Sequence, residues 1–154
     1  NLKKEEYMSA VRKTITIGAP VGRVFNVVTS PDNLTKYVTS LLDVKNMSEN
    51  IPHKGSTFKW EYKMMGIRFK GKGIVTENVK NKTFGMKMDG KFPIIESYDF
   101  IDKGNSTTEL VVKIEYEVPG SIFGSIANKL LIEKMNVIES KNVLDKIKIM
   151  CESK

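Results

Sequence analysis

Between residues 57 and 118 the chain alternates apolar and polar side chains with a period of two. Five such runs follow one another, separated by turn residues, and each has one oily face. The faces carry Phe58, Trp60, Tyr62 and Met64; then Ile67, Phe69 and Val75; then Phe84, Met86 and Met88; then Tyr98 and Phe100; then Leu110, Val112, Ile114 and Tyr116. After Pro119-Gly120 the period changes to that of a helix, which is expected over residues 120–151. A curved antiparallel sheet gripping that helix would gather all these faces on its concave side. Aromatic and methionine side chains fill space less regularly than Leu and Val, and such linings often surround a ligand cavity. The expected lining is Phe58, Trp60, Tyr62 and Phe69 from the first hairpin, Met86, Met88, Tyr98 and Phe100 from the next strands, and Ile126 and Leu130 from the helix.

The rest of the chain supplies the frame. Val11, Ile15 and Ile17 predict a first strand; Lys13 shares their face and must snorkel out at an edge. Pro20 suits a first helical turn, and Val21, Val24, Phe25 and Val28 recur at helical spacing. Ser30-Pro31 restarts the chain as a second short helix to about Tyr37, with Ser30 as N-cap. Residues 38–47 read as a poorly alternating strand. If Met65-Gly66 is a hairpin tip, Met64 pairs with Ile67, Tyr62 with Phe69, Trp60 with Gly71 and Phe58 with Gly73. Rings then face glycines, which relieves crowding on a bent sheet. Further strands are expected at residues 83–89, 94–101 and 107–118. On the last helix Phe123, Ile126, Ala127, Leu130, Leu131, Val137, Ile138, Leu144, Ile147 and Cys151 are assigned to the buried face, and Lys129, Glu133, Lys134, Glu139, Lys141 and Lys146 mostly to the other.

With 154 residues, 40% of them hydrophobic, the chain suits one domain with a real core. Residues 1–9 read as an N-terminal extension or tag remnant and residues 10–154 as the single domain. The lone Cys151 excludes an internal disulfide framework and suits a reducing, cytoplasmic setting. No apolar run reaches the roughly 20 residues of a membrane span. The net charge of +7 is uneven: residues 1–77 hold 13 Lys/Arg against 7 Asp/Glu, and residues 78–154 hold 12 against 11. The lysines are scattered and no nucleic-acid motif accompanies them, so only weak contact with anionic surfaces is expected.

Candidate chemistry is sparse. His53, the only histidine, falls in a polar loop, so Ser/His/Asp and Cys/His metal arrangements have nothing to build on. No metal and no cofactor is expected. Cys151 has no base nearby in sequence and reads as packing. Tyr62, Tyr98 and Tyr116 carry hydroxyls that need partners if buried, and these can orient a ligand carbonyl or polarise one. Glu61, Glu77 and Glu96 lie on strands, and no paired carboxylate system is expected. Gly71-Lys72-Gly73 lacks the strand–loop–helix context of a phosphate loop.

The segment ITIGAPVGRVFNVVTSPDNLTKYV resembles the opening of the START-like superfamily, the polyketide cyclase/dehydrase and lipid-transport group, through Ile17, Ala19, Pro20, Val24, Phe25, Pro31 and Asp32. GSTFKWEY at residues 55–62, VTE at 75–77 and GNSTTELVVKIEYEVPG at 104–120 resemble its later landmarks. Where many members have a Trp after the second helix, this chain has Tyr37. The resemblance implies an α+β helix-grip fold: a curved antiparallel sheet of six to seven strands around a long C-terminal helix, with two short helices after the first strand. It implies binding of a hydrophobic small molecule, such as a lipid, isoprenoid or polyketide, in an internal cavity. Two other activities occur in the superfamily and stay open here: a cyclase or aromatase using the same cavity, and an interaction module of the heat-shock ATPase activator sort.

Overall fold

The computed structural model describes residues 7–45, 47, 52–64, 66–90, 93–118 and 126–153. β1 (Tyr7–Ile17) leads into α1 (Val21–Thr29), a 3-10 turn (Pro31–Asn33) and α2 (Leu34–Tyr37). Then come β2 (Leu41–Lys45), β3 (Thr57–Met64), β4 (Ile67–Val79), β5 (Thr83–Asp89), β6 (Ile94–Gly104), β7 (Thr107–Val118) and α3 (Ile126–Glu152). The seven strands form one antiparallel sheet in the order β1-β7-β6-β5-β4-β3-β2. The helices pack on its inner face, and α3 lies chiefly along β1 with α1, α2 and β7 as further neighbours. This is the expected helix-grip arrangement. Pro20 precedes α1 as expected; Ser30 sits at the N-cap position of the 3-10 turn, but its side chain makes no capping bond.

The β3–β4 register is the expected one, pair for pair from Met64↔Ile67 to Phe58↔Gly73. Phe58, Trp60, Tyr62, Met64 and Phe69 point inward and are buried; Lys59, Lys63, Arg68, Lys70 and Lys72 stand outside. Glycine is required where the rings lie. A Cβ on Gly73 would come within 2.3 Å of the Phe58 ring. One on Gly71 would come within 2.0 Å of the Asp89 carbonyl oxygen and 3.0 Å of the Trp60 ring. A bulge between Val75 and Glu77 bends β4 further.

Three expectations change. β2 is shorter than residues 38–47, because Tyr37 and Val38 turn into the core before the strand begins at Leu41. Ile67, at the hairpin tip, is exposed. The third change concerns α3, whose buried face is Ile132, Asn136, Glu139, Ser140, Val143, Leu144, Ile147 and Cys151. Leu130, Leu131, Val137 and Ile138 lie on the outside. The apolar residues are spread around the helix, so no single stripe dictates its rotation. Asn136 helps set it: its amide donates to Ser9 Oγ at 3.1 Å and to the Ile114 carbonyl at 3.2 Å. Phe123 lies outside the described residues, as do the side chains of Ile126, Ala127 and Lys129.

The C-terminal end of α3 is tied down by charge. Arg23 donates to the carbonyls of Cys151 and Ser153, each at 2.6 Å, completing the helix end. Glu152 accepts from the Gly18 N–H at 2.7 Å and from Lys148, which also reaches the Thr16 carbonyl. Among the described residues no helix is long and apolar enough to cross a membrane.

Candidate functional site

Strand parity puts Tyr62 of β3 and Tyr116 of β7 on the inner face of the sheet, on opposite sides of the concavity. α3 crosses above them and lowers Glu139 between them. Both phenols donate to the same oxygen, Glu139 Oε2, and the two hydroxyl oxygens are 3.2 Å apart. The other oxygen, Glu139 Oε1, is buried and has no hydrogen-bond partner among the described residues. A buried acceptor left unpaired is uncommon, because desolvating it without compensation is unfavourable.

A second polar group lies deeper. On β6 the two-residue period turns Ile94, Glu96, Tyr98 and Phe100 all inward. Tyr98 donates to Glu96 Oε1. The Tyr37 hydroxyl donates to the Val28 carbonyl at 2.6 Å, and its ring meets that of Tyr98 edge-on at 6.1 Å. Glu96 is 1% exposed. Burial raises its carboxyl from 4.5 to about 7; the Tyr98 hydrogen bond opposes the rise, and the charge of Glu139 adds to it. The hydroxyls of Tyr37, Tyr62, Tyr98 and Tyr116 are all pushed well up, first by burial and then by the neighbouring acids and phenols, so they are proton donors at neutral pH. The charge of Glu139 reaches Glu96, which joins the two groups electrostatically.

The expected lining is placed as follows. Phe58, Trp60, Tyr62, Phe69, Met86, Met88, Tyr98 and Phe100 are buried on the inner face. Tyr62 and Tyr98 belong to the polar unit. Phe100 instead packs edge-on against Phe25 at 5.1 Å, and the Trp60 indole donates to the Lys72 carbonyl at 3.0 Å. Leu130 is 62% exposed, on the outer side of α3, and does not face the sheet. The Ile126 side chain lies outside the described residues.

The sequence pattern misses two acids. It assigns Glu139 outward and gives Glu96 no role; both are inside, contrary to the expectation of dispersed carboxylates. Glu96 is readable, since it shares the parity of Tyr98 and Phe100. Glu139 is not, because only the packed position of α3 reveals its face. Cys151 is buried, and burial pushes its thiol up to about 11, which keeps it protonated and unreactive. His53 is exposed beside Ser56. On the outer face Asp43, Lys45, Lys59, Glu61, Lys70 and Lys72 border a groove open to solvent, with charges of both signs. Among the described residues no three His, Cys, Asp or Glu side chains converge to hold a metal ion.

Solved structures share this architecture at low sequence identity. A protein from Thermus thermophilus superposes with a TM-score of 0.72 at 21% identity, over 94% of this chain and 99% of that one. The Zhui aromatase/cyclase from Streptomyces sp. R1128 does so with a TM-score of 0.76 at 12% identity, over 95% and 94%. A START superfamily protein from Mycobacterium smegmatis gives 0.71 at 13%, over 93% and 97%. Among curated proteins none matches the chain in sequence. Residues 8–152 match the family described as polyketide cyclase / dehydrase and lipid transport, and the chain belongs to that family.

Proposed function

We propose that the protein binds a hydrophobic small molecule between the sheet and α3, its apolar body against the Phe58, Trp60, Met86 and Met88 face and its polar end at the Tyr62–Tyr116–Glu139 group. The family is one of hydrophobic-ligand proteins, and the site is aromatic and apolar with a few convergent polar atoms, the usual composition of a small-molecule site. The observation that carries the reading is Glu139 Oε1, a buried acceptor that no group among the described residues satisfies. Native mass spectrometry of the purified chain is expected to show a co-purifying lipid-sized mass, lost on delipidation. An uncharged naphthalene dye should then bind the emptied protein at one site. A chain that carries no such mass and binds no apolar probe would refute the reading.

One observation favours a second reading, a cyclase-type enzyme. Glu96 is held at about 7 by burial, where a carboxyl can both give and take a proton at neutral pH. In this reading it would protonate a carbonyl oxygen of a bound polyketone or remove a proton beside one. Incubation with a poly-β-ketone mimic separates the readings: product whose formation is lost in Glu96→Gln, with binding retained, supports the enzyme.

A further inference from the structure

The interior polar unit has a sign. Its ionisable members are two carboxyls and four phenols. Among the described residues no Lys, Arg or His is buried, although the chain as a whole carries a net charge of +7. The protons are also committed. Tyr62 and Tyr116 both give theirs to Glu139 Oε2, Tyr98 gives its to Glu96, and Tyr37 gives its to Val28. An anionic headgroup placed beside Glu139 would meet its unpaired oxygen, and the adjacent Tyr62 and Tyr116 hydroxyls already donate to that residue. A donor would meet Glu139 Oε1, unpartnered on a residue only 8% exposed. A cation would gain twice, from that carboxylate and from the faces of the surrounding tyrosine rings.

We propose that this site selects apolar molecules ending in a protonated amine, the ammonium resting on Glu139 Oε1 beside the Tyr62 and Tyr116 rings, and rejects the carboxylate of the same chain. The proposal rests on the binding site inferred above and adds the chemical class of the ligand's polar end. It runs against the surface, because a protein of net charge +7 attracts anions by its overall field.

The test uses the delipidated full chain and three probes that share a ten-carbon tail: decylamine, decanol and decanoate, each titrated calorimetrically at pH 7. Decylamine is expected to bind about tenfold or more tighter than decanoate, the worth of one good charge-assisted contact. Decanol should fall between them. Glu139→Gln should remove the preference for the amine, bringing decylamine and decanol to within about twofold of each other. Because that variant can fold poorly, the native chain gives a second readout. Nuclear Overhauser contacts from the amine's α-methylene to the Tyr62 and Tyr116 ring protons are expected, and contacts to surface residues alone would overturn the proposal. Decanoate binding as tightly as decylamine, with decanol also bound, overturns the amine preference and leaves the binding site standing. Failure of all three probes to bind overturns both.

Discussion

A carboxyl buried like Glu96 couples protonation to folding. Its acidity is governed by burial, by the Tyr98 hydroxyl and by Glu139 across from it on α3. The folded pKa, about 7, lies above the ordinary 4.5, so between those values the folded state holds a proton that the unfolded state has released. Stability therefore falls as pH rises through this window and levels off above it. The loss is at most about 3 kcal/mol for a shift of this size. Glu96→Gln, which stays neutral, is expected to flatten that slope and to raise the melting temperature more at pH 8 than at pH 5. Melting curves across that range check it, and an unchanged slope would show that Glu96 is not the group responsible. The acid's position follows from counting in twos along β6, so strand sequence alone places it. Its shifted proton affinity does not, because that depends on β5, β7 and α3 closing around it.

At the scale of elements the β3–β4 hairpin and α3 give opposite lessons. The hairpin's register is legible because period-two alternation permits only one face to be oily and a one-residue slip would bury its lysines. Trp60→Ala is therefore expected to cost roughly 3–5 kcal/mol, less if the ring borders bound ligand. The neighbouring Lys59→Ala should stay within about 0.5 kcal/mol. Gly71→Ala should destabilise by about 1–3 kcal/mol, since the new methyl meets a backbone carbonyl that cannot swing away. Chemical denaturation of the three variants decides this; equal losses at positions 59 and 60 would refute the register. α3 is different. Its apolar residues surround the axis, and the face it buries includes Asn136, Glu139 and Ser140. The partners of Asn136 and Glu139 come from distant strands, Ser9 on β1, Tyr62 on β3, and Ile114 and Tyr116 on β7. A hydrophobic pattern read along one segment carries no record of such partners, and Glu139 is hidden for that reason.

The whole molecule sets a basic exterior against an acidic interior. The positive charge outside is diffuse and mixed with Asp43 and Glu61, so its attraction for anionic membranes or nucleic acid should be weak and fall steeply with salt. Burial of an uncharged apolar ligand rests on area removed from water and should be nearly indifferent to salt. Titrating decanol and anionic vesicles at low and high ionic strength is expected to leave the first affinity unchanged and abolish the second. A salt-sensitive decanol affinity would place that ligand outside the protein.

The fastening of α3 has a mechanical consequence. Arg23, Gly18 and Thr16 hold the helix over its last turns, around residues 148–153, while Asn136 and Glu139 moor it to the sheet farther back, so it is a beam pinned at two places. Glu139 belongs to the inner of those pins, so its aim depends on the outer one as well. The fastening of the helix end and the alignment of the buried acid are then set together. A residue as far from the buried acid as Arg23 acquires leverage over where that acid points.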